Sequence, residues 1–409
     1  MKKILPTKII CTLGPASSTE EKIRQMFDEG MAIARINLSH ATGEGNSSLI
    51  ETINKIRKEP KYSSLSIAMD TKGPEIRLGE MEEAEVNIAV GDTVILTTDT
   101  KYAKCCTKDR MYIDHRNIYN DLTEDTKCIF IDDGKIELEI VDIFKEKEII
   151  STKAKSTGVV SSKKGVNIPG IKLTLPNLTE NDIKSIQYGI KNGIDLIFAS
   201  FIQSAKDIRD IKKILNGNTE IKIIAKIEST QGLANIAEII DESDGIMIAR
   251  GDLGIETDYS NLFYAQCKIS HECRIKNKPF IVATEILESM KKSLKPTRAE
   301  VTDLSFAVIS GAACVMLSGE SAVGVDPVNT VRVMHQIIER SSEAAIFTDV
   351  FNDCLVLRNN TIKVSITNSN AILREKNILF GWSAIDSNIS TDDISAPNGY
   401  LIEKITEDE

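Results

Sequence analysis

Residues 221–256, IKIIAKIESTQGLANIAEIIDESDGIMIARGDLGIE, decide the fold. IKIIAKIE is an apolar run of strand length, GLANIAEII has helical spacing, and GIMIAR is apolar again. The pattern predicts strand, helix, strand. Such a crossover lays its two strands parallel and side by side. The first strand ends in charge at Lys226 and Glu228, the second at Arg250 and Asp252. Glu228 and Asp252 are therefore expected at one edge of the sheet, at neighbouring carboxyl ends. Two carboxylates there suit a hard, oxygen-seeking cation such as Mg²⁺ or Mn²⁺. Lys226 and Arg250 add positive charge beside them. A divalent cation with flanking cations is what a phosphoryl group in transfer requires.

Composition bounds the reading. The chain has 409 residues, a formal net charge of -10 and 42% hydrophobic residues, enough for a large core and more than one domain. The acidic balance argues against a general nucleic-acid binder, so an anionic ligand must find cations local to its site. The eight cysteines include no CxxC pair, and no secretory leader is visible, which points to a reduced, cytoplasmic protein. No apolar run reaches membrane-spanning length. The histidines, His40, His115, His271 and His335, are too dispersed for a histidine-rich zinc site.

Outward from 221–256, the same alternation runs through most of the chain. Strand-like runs are expected at 7–14 (TKIICTLG), 31–40 (MAIARINLSH), 65–73 (LSIAMDTKG), 194–201 (IDLIFASF), 279–284 (PFIVAT) and 314–320 (CVMLSGE). Helical segments separate them; Thr179 reads as a helix cap. With 221–228 and 245–250 this makes eight strand–helix repeats, which predicts an α/β fold of (β/α)8 TIM-barrel type. Residues 1–73 and 173–340 are assigned to the barrel. Residues 74–172 lose the helical period and alternate in Val- and Ile-rich runs with turns such as Asp133-Gly134. They are expected to form an all-β lid domain inserted after the third strand. Residues 341–409 are expected to form a reduced C-terminal domain with a few strands.

In a barrel, chemistry collects where strands end. The second run ends in Arg35, Asn37, Ser39 and His40; the third in Asp70, Thr71, Glu75 and Arg77; the seventh in Thr284; the eighth in Ser318–Glu320. Arg35, Arg77, Lys226 and Arg250 supply cations for phosphate oxygens. Asn37, Ser39, Asp70 and Thr71 offer oxygens with one full charge among them, which suits K⁺. In the insert, Lys163 and Lys164 precede a Gly/Pro turn and are placed to reach a nucleotide's phosphates. No GxxxxGK[ST] is present, so a Walker-type site is not indicated.

Together these stretches closely resemble the pyruvate kinase family. The matching segments are TKIICTLGPAS, ARINLSH, DTKGPEIR, KKGVNIPG, LTENDIKSI, FASFI, AKIE, GIMIARGDLGIE, PTRAEVTDLSFAV and VMLSGESAVG, in family order from about Thr7 to Phe347. The resemblance implies transfer of the phosphoryl group of phosphoenolpyruvate to ADP, the last step of glycolysis, with Mg²⁺ (or Mn²⁺) and K⁺. It implies that Glu228 and Asp252 hold the divalent ion and that Lys226 steadies the phosphoryl group and the enolate. Arg35 is implied as a contact of the phosphoryl group, Gly251, Asp252 and Thr284 as contacts of the substrate. Asn37, Ser39, Asp70 and Thr71 are implied as K⁺ ligands, and Asn37, His40, Arg77 and Lys164 as nucleotide contacts. Glu75 implies K⁺ activation, because the family's K⁺-independent members carry a lysine there. The family also implies a homo-oligomer, a dimer or tetramer.

The chain departs from the family pattern in three places. Glu285 stands where a glutamine is usual, Ala313 replaces a common aspartate, and the C-terminal region is shorter than usual, which implies no fructose-bisphosphate activation. Two alternatives stay open: a catalytically weak or inactive paralogue acting as a binding or regulatory subunit, and a metal-dependent aldolase-like barrel.

Overall fold

The computed structural model describes residues 5–38, 44–171, 173–344, 361–364 and 401–404. Eight parallel strands close into a barrel: β1 (Lys8–Thr12), β2 (Met31–Asn37), β3 (Ser66–Asp70), β4 (Leu196–Ala199), β5 (Lys222–Ile227), β6 (Gly245–Ala249), β7 (Phe280–Ala283) and β8 (Cys314–Leu317). Each pairs with its sequence neighbours, and β8 pairs with β1 to complete the ring. The expected α/β barrel is the observed one.

Period two along each strand sorts its side chains. Ile10, Ile33, Ala68, Phe198, Ile224 and Met316 fill the barrel interior. Ile9, Ala34, Ile67, Ile197, Ile223 and Val315 face outward into the layer shared with the helices. That layer is continuous around the ring and includes Ile23 and Met26 of helix Glu20–Glu29, Ile208 and Ile211 of helix Ala205–Leu215, and Ile269 of helix Leu262–Ile275. Helix starts follow the capping residues. Thr179 and Asp182 form a reciprocal capping box, as do Thr297 with Glu300 and Ser204 with Asp207.

Two local expectations change. GLANIAEII is not one helix but two, Thr230–Ala234 and Ile236–Glu242, meeting at Asn235, whose side chain donates to the Gln203 carbonyl at 2.7 Å. The sixth strand stops at Ala249, and Arg250–Glu256 turns immediately into a short helix. Asp252 therefore projects from a helix's first turn, not from a strand end.

Between β3 and the helix Glu180–Lys191, residues 76–167 build sheet. Seven short strands pair in the order 76–77, 165–167, 128–131, 136–144, 149–154, 93–97, 110–112. A bridge between Leu78 and Ile113 joins the two edges, so the sheet curls on itself. It has its own apolar centre, including Leu96, Met111, Ile129, Ile136, Leu138 and Ile150. One short helix, Ile118–Asp121, interrupts the strands. In the C-terminal region, Thr361–Val364 and Leu401–Lys404 pair in parallel. The rest of the expected C-terminal domain lies outside the described residues.

Candidate active site

The parity that fills the barrel interior also builds its mouth. Two residues beyond each interior position the same face emerges at the carboxyl ends. Ile10 leads to Thr12, Ile33 to Arg35 and Asn37, Ala68 to Asp70, Phe198 to Ser200, and Ile224 to Lys226 and Glu228. Residues scattered over more than two hundred positions thus converge because each strand keeps its alternation to the end.

Lys226 is the centre of this cluster. Its Nζ lies 3.0 Å from Asp70 Oδ1, 2.7 Å from Ser200 Oγ and 3.0 Å from Glu228 Oε1. Burial opposes its charge, but Asp70 and Glu228 outweigh burial and hold it protonated above the ordinary lysine range. Asp70 in turn accepts from Arg35 Nε at 2.7 Å and from Ser200 Oγ at 3.1 Å. Burial would raise its pKa; Arg35 and Lys226 overcome that and leave it below the usual carboxylate value. Arg35 also donates to Thr12 Oγ1 at 2.8 Å. Glu228 accepts from the Phe201 amide at 2.6 Å. Burial pushes Glu228 up, while the Lys226 ammonium pulls it back.

Beside this cluster, burial and the charge of Glu228 push Asp252 up to about 7. Glu75 and Asp133 of the insert add to that shift, so the insert's edge faces the same mouth. Glu256, one turn on, is pushed to about 8 by burial and by Asp252. Glu228 and Asp252 are two buried carboxylates whose charged forms burial disfavours and Lys226 offsets only in part, a donor set that a divalent cation would stabilise. Among the described residues no group of three or more His, Cys, Asp or Glu side chains is placed to hold a metal. The pair instead suits an ion that completes its shell from water and substrate oxygens, as Mg²⁺ does.

Thr284 and Gly251 meet, with the Gly251 amide donating to Thr284 Oγ1 at 2.7 Å. Thr284 has φ +68° and Glu285 φ +52°, a left-handed pair that costs a β-branched residue of order 1–3 kcal/mol. Arg250 holds them there. Its guanidinium donates to the Thr284 carbonyl at 2.7 Å, to the Glu285 carbonyl at 3.1 Å and to Asp303 at 2.6 Å. The expectation that Arg250 serves phosphate oxygens is therefore corrected: its donors are engaged in bracing the loop after β7. Glu320 is likewise structural, fully buried and accepting from the Ser318 and Leu287 amides.

Of the expected K⁺ ligands, Asn37 and Asp70 are cross-strand partners and Thr71 follows directly. Thr71 Oγ1 accepts from the Ser200 amide at 3.0 Å. Ser39 and His40 lie outside the described residues. In the insert, Arg77 pairs with Gly165 across adjoining strands, which sets it beside Lys164. Arg77 bonds Glu75 Oε2 at 2.8 Å and the Lys163 carbonyl at 2.9 Å. Lys164 pairs with Asp132 at 2.8 Å.

Ser200 and the Phe201 amide were not singled out from sequence. Their signal was present: the run IDLIFASF has Ser200 as its penultimate residue, at the same parity as Lys226. Phe201 also has φ +53°, a further left-handed residue at the mouth beside Thr284 and Glu285, and no sequence pattern announces it.

The fold and its rim define a (β/α)8-barrel protein with a buried lysine–carboxylate centre and a sheet domain inserted after β3. The chain belongs to the pyruvate kinase family: the family described as "Pyruvate kinase, barrel domain" matches residues 4–331. The chain is 41% identical to a pyruvate kinase of Hypocrea jecorina over 86% of its own length and 65% of the relative's. It is 43% identical to one of Agaricus bisporus over 85% of its length and 65% of the relative's. For one of Bacillus licheniformis the identity is 38%, over 89% and 61%. The chain thus spans under two-thirds of the length of these relatives. Among the described residues no helix is long and apolar enough to cross a membrane.

Proposed function

We propose that the protein transfers the phosphoryl group of phosphoenolpyruvate to ADP, giving pyruvate and ATP. The observation that carries this reading is the buried Lys226 ammonium, fixed by Asp70, Ser200 and Glu228 at the barrel mouth. A phosphoryl group passing between two oxygens needs charge stabilisation already in place, with no reorganisation during transfer. Lys226 meets that need and remains to stabilise the enolate oxygen. Arg35, aligned by Asp70 and Thr12, meets the phosphoryl oxygens. Gly251 and Thr284, locked together, would face the substrate near its carboxylate, and the Thr284 hydroxyl would relay a proton to the enolate carbon through water.

Glu228 and Asp252 would hold Mg²⁺ or Mn²⁺, which when bound supplies charge neutralisation between substrate and phosphoryl oxygens. Asn37, Ser39, Asp70 and Thr71 would hold K⁺. Arg35 and Lys226 bond the Asp70 carboxylate and the single Ser200 hydroxyl proton is divided between Asp70 and the Thr71 carbonyl, and a carboxylate has about four lone-pair sites, so at least one remains. Asn37, His40, Arg77 and Lys164 would face the nucleotide, with residues 74–172 as the lid that brings Arg77 and Lys164 to it. The protein would work in the cytoplasm as a homo-oligomer. Tyr259, Phe263 and Tyr264, exposed at the start of helix Leu262–Ile275, support a self-association surface.

The test is ATP formation from phosphoenolpyruvate and ADP with Mg²⁺, in K⁺ and in Na⁺-only buffer, beside Lys226→Met. ATP from the wild type, faster in K⁺ and lost in the variant, is the expected result. No ATP from the folded wild type would leave the inactive-paralogue alternative standing.

A further inference from the structure

Two chain crossings join barrel and insert, and each is gripped on both sides by an aspartate. At the first crossing, the Lys72 amide donates to Asp182 Oδ1 of the barrel at 2.9 Å. Five residues on, the Arg77 amide donates to Asp114 Oδ1 of the insert at 2.7 Å, and the Asp114 amide returns a bond to the Arg77 carbonyl at 3.1 Å. At the second crossing, the Thr174 amide donates to Asp121 Oδ2 of the insert at 2.9 Å, with the Thr174 hydroxyl at 3.2 Å from the same oxygen. Three residues on, the Asn177 side chain donates to Asp207 of the barrel. Both barrel-side acids are capping-box residues, fixed by their own helices.

The insert-side grip on the second crossing is the most deeply set. Asp121 and His115 are both buried, and His115 Nε2 lies 2.5 Å from Asp121 Oδ2. The short helix Ile118–Asp121 that carries Asp121 packs Ile118 into the insert's apolar centre. Leu173 and Leu175, on either side of Thr174, pack against that same centre. What lies between the grips is short: Gly73-Pro74-Glu75-Ile76 at one crossing, with Gly73 at φ +69°, and Leu175-Pro176 at the other.

We propose that Asp121, oriented by His115, is a positioning residue for the nucleotide half of the site. By holding the Thr174 amide, with Asp114 holding Arg77 at the other crossing, it ends the pliable part of each connection. The insert then moves as one body and delivers Arg77 and Lys164 together. Without the grip, the exit strand peels from the insert and the approach of those cations loses its register. The inference rests on the reading of the insert as a lid over ADP.

The test uses Asp121→Ala and Asp121→Asn in the full chain, with Asp114→Ala as a surface variant in case the buried change prevents folding. Amide exchange in the peptide carrying Thr174 is expected to quicken about tenfold in Asp121→Ala, with the Lys72 region unchanged. The KM for ADP is expected to rise about fivefold or more, while affinity for oxalate with Mn²⁺, a planar enolate mimic read by calorimetry, stays within about twofold. Asp121→Asn keeps an acceptor for Thr174 and should recover most of both effects; Asp114→Ala should raise the KM for ADP in the same direction through the Arg77 amide. Faster exchange at Thr174 with an unchanged KM for ADP overturns the proposal, as does unchanged exchange. Should the wild type form no ATP, the reading of the reaction fails by itself, and the grip stands or falls on the exchange data.

Discussion

The cations of the barrel mouth and those of the insert are held in opposite ways. Lys226 has a side chain only 10% exposed and bonds to groups from β3, from the end of β4 and from just beyond β5. Lys163, 67% exposed, and Lys164, 35% exposed, each pair with one carboxylate of the insert, Glu80 and Asp132. Buried, multiply bonded charge is preorganised and costly to disturb. An exposed single pair such as Lys163 with Glu80 contributes about 0–1 kcal/mol and exchanges partners readily, and Asp132 keeps Lys135 as a second partner if Lys164 leaves it. The contrast separates two tasks: a rigid centre for the reacting group, and movable cations that leave their resting carboxylates for a ligand.

Four changes break or sharpen that contrast. The largest effect is expected from Lys226→Met, which removes the central charge: kcat for ATP formation should fall on the order of 10³-fold, measured by coupled assay. A loss under tenfold would put Lys226 on the same footing as the insert lysines. Ser200→Ala should come next, with kcat down roughly 10- to 100-fold, as expected for a lost hydrogen bond to charged groups. Its KM for ADP should hold, since Ser200 belongs to the rigid half.

The third change concerns protons. Asp252 rises from 3.8 to about 7 and Glu256 from 4.5 to about 8. Each acid's folded pKa lies above its unfolded one, so between the two values the folded chain holds more protons. Stability of the metal-free protein therefore falls as pH rises through that window. Thermal midpoints in chelator at pH 5 and pH 8 should show the drop, and Glu256→Gln should shrink it. A midpoint that climbs over the same range would refute the assignment. Lys164→Ala is expected to do least: a KM for ADP about two- to fivefold higher, at nearly constant kcat. A collapse of kcat in that variant would mean that the insert lysines also sit within the rigid centre.

Much of the molecule was legible in the chain. All eight barrel strands were readable because each is an apolar run bounded by turn or cap residues, as in PFIVAT and CVMLSGE. The cluster of Arg35, Asp70, Lys226 and Glu228 was readable because strand ends in such a barrel share one rim. Ser200 escaped because its parity in the strand was the only mark it carried, with no charge to draw attention; the lysine 2.7 Å away gives it a role. Arg250 misled for the same reason, since its charge suggested phosphate while its neighbours turned out to be the Thr284 and Glu285 carbonyls. The end of β6 was overrun by one residue because Arg250, the first helical residue, follows GIMIA directly with no turn or cap residue between strand and helix.

The sequence by itself determined the barrel, the place of the insert and which charged side chains reach the mouth. Those follow from periodicity, a local property carried along each strand. Only the tertiary structure decided which of those charges are engaged, which are strained and which carboxylates grip the crossings. Hydrogen-bond allocation depends on distances between residues far apart in the chain, and Thr174 with Asp121, or Lys226 with Asp70, have no signature until the fold brings them within 3 Å.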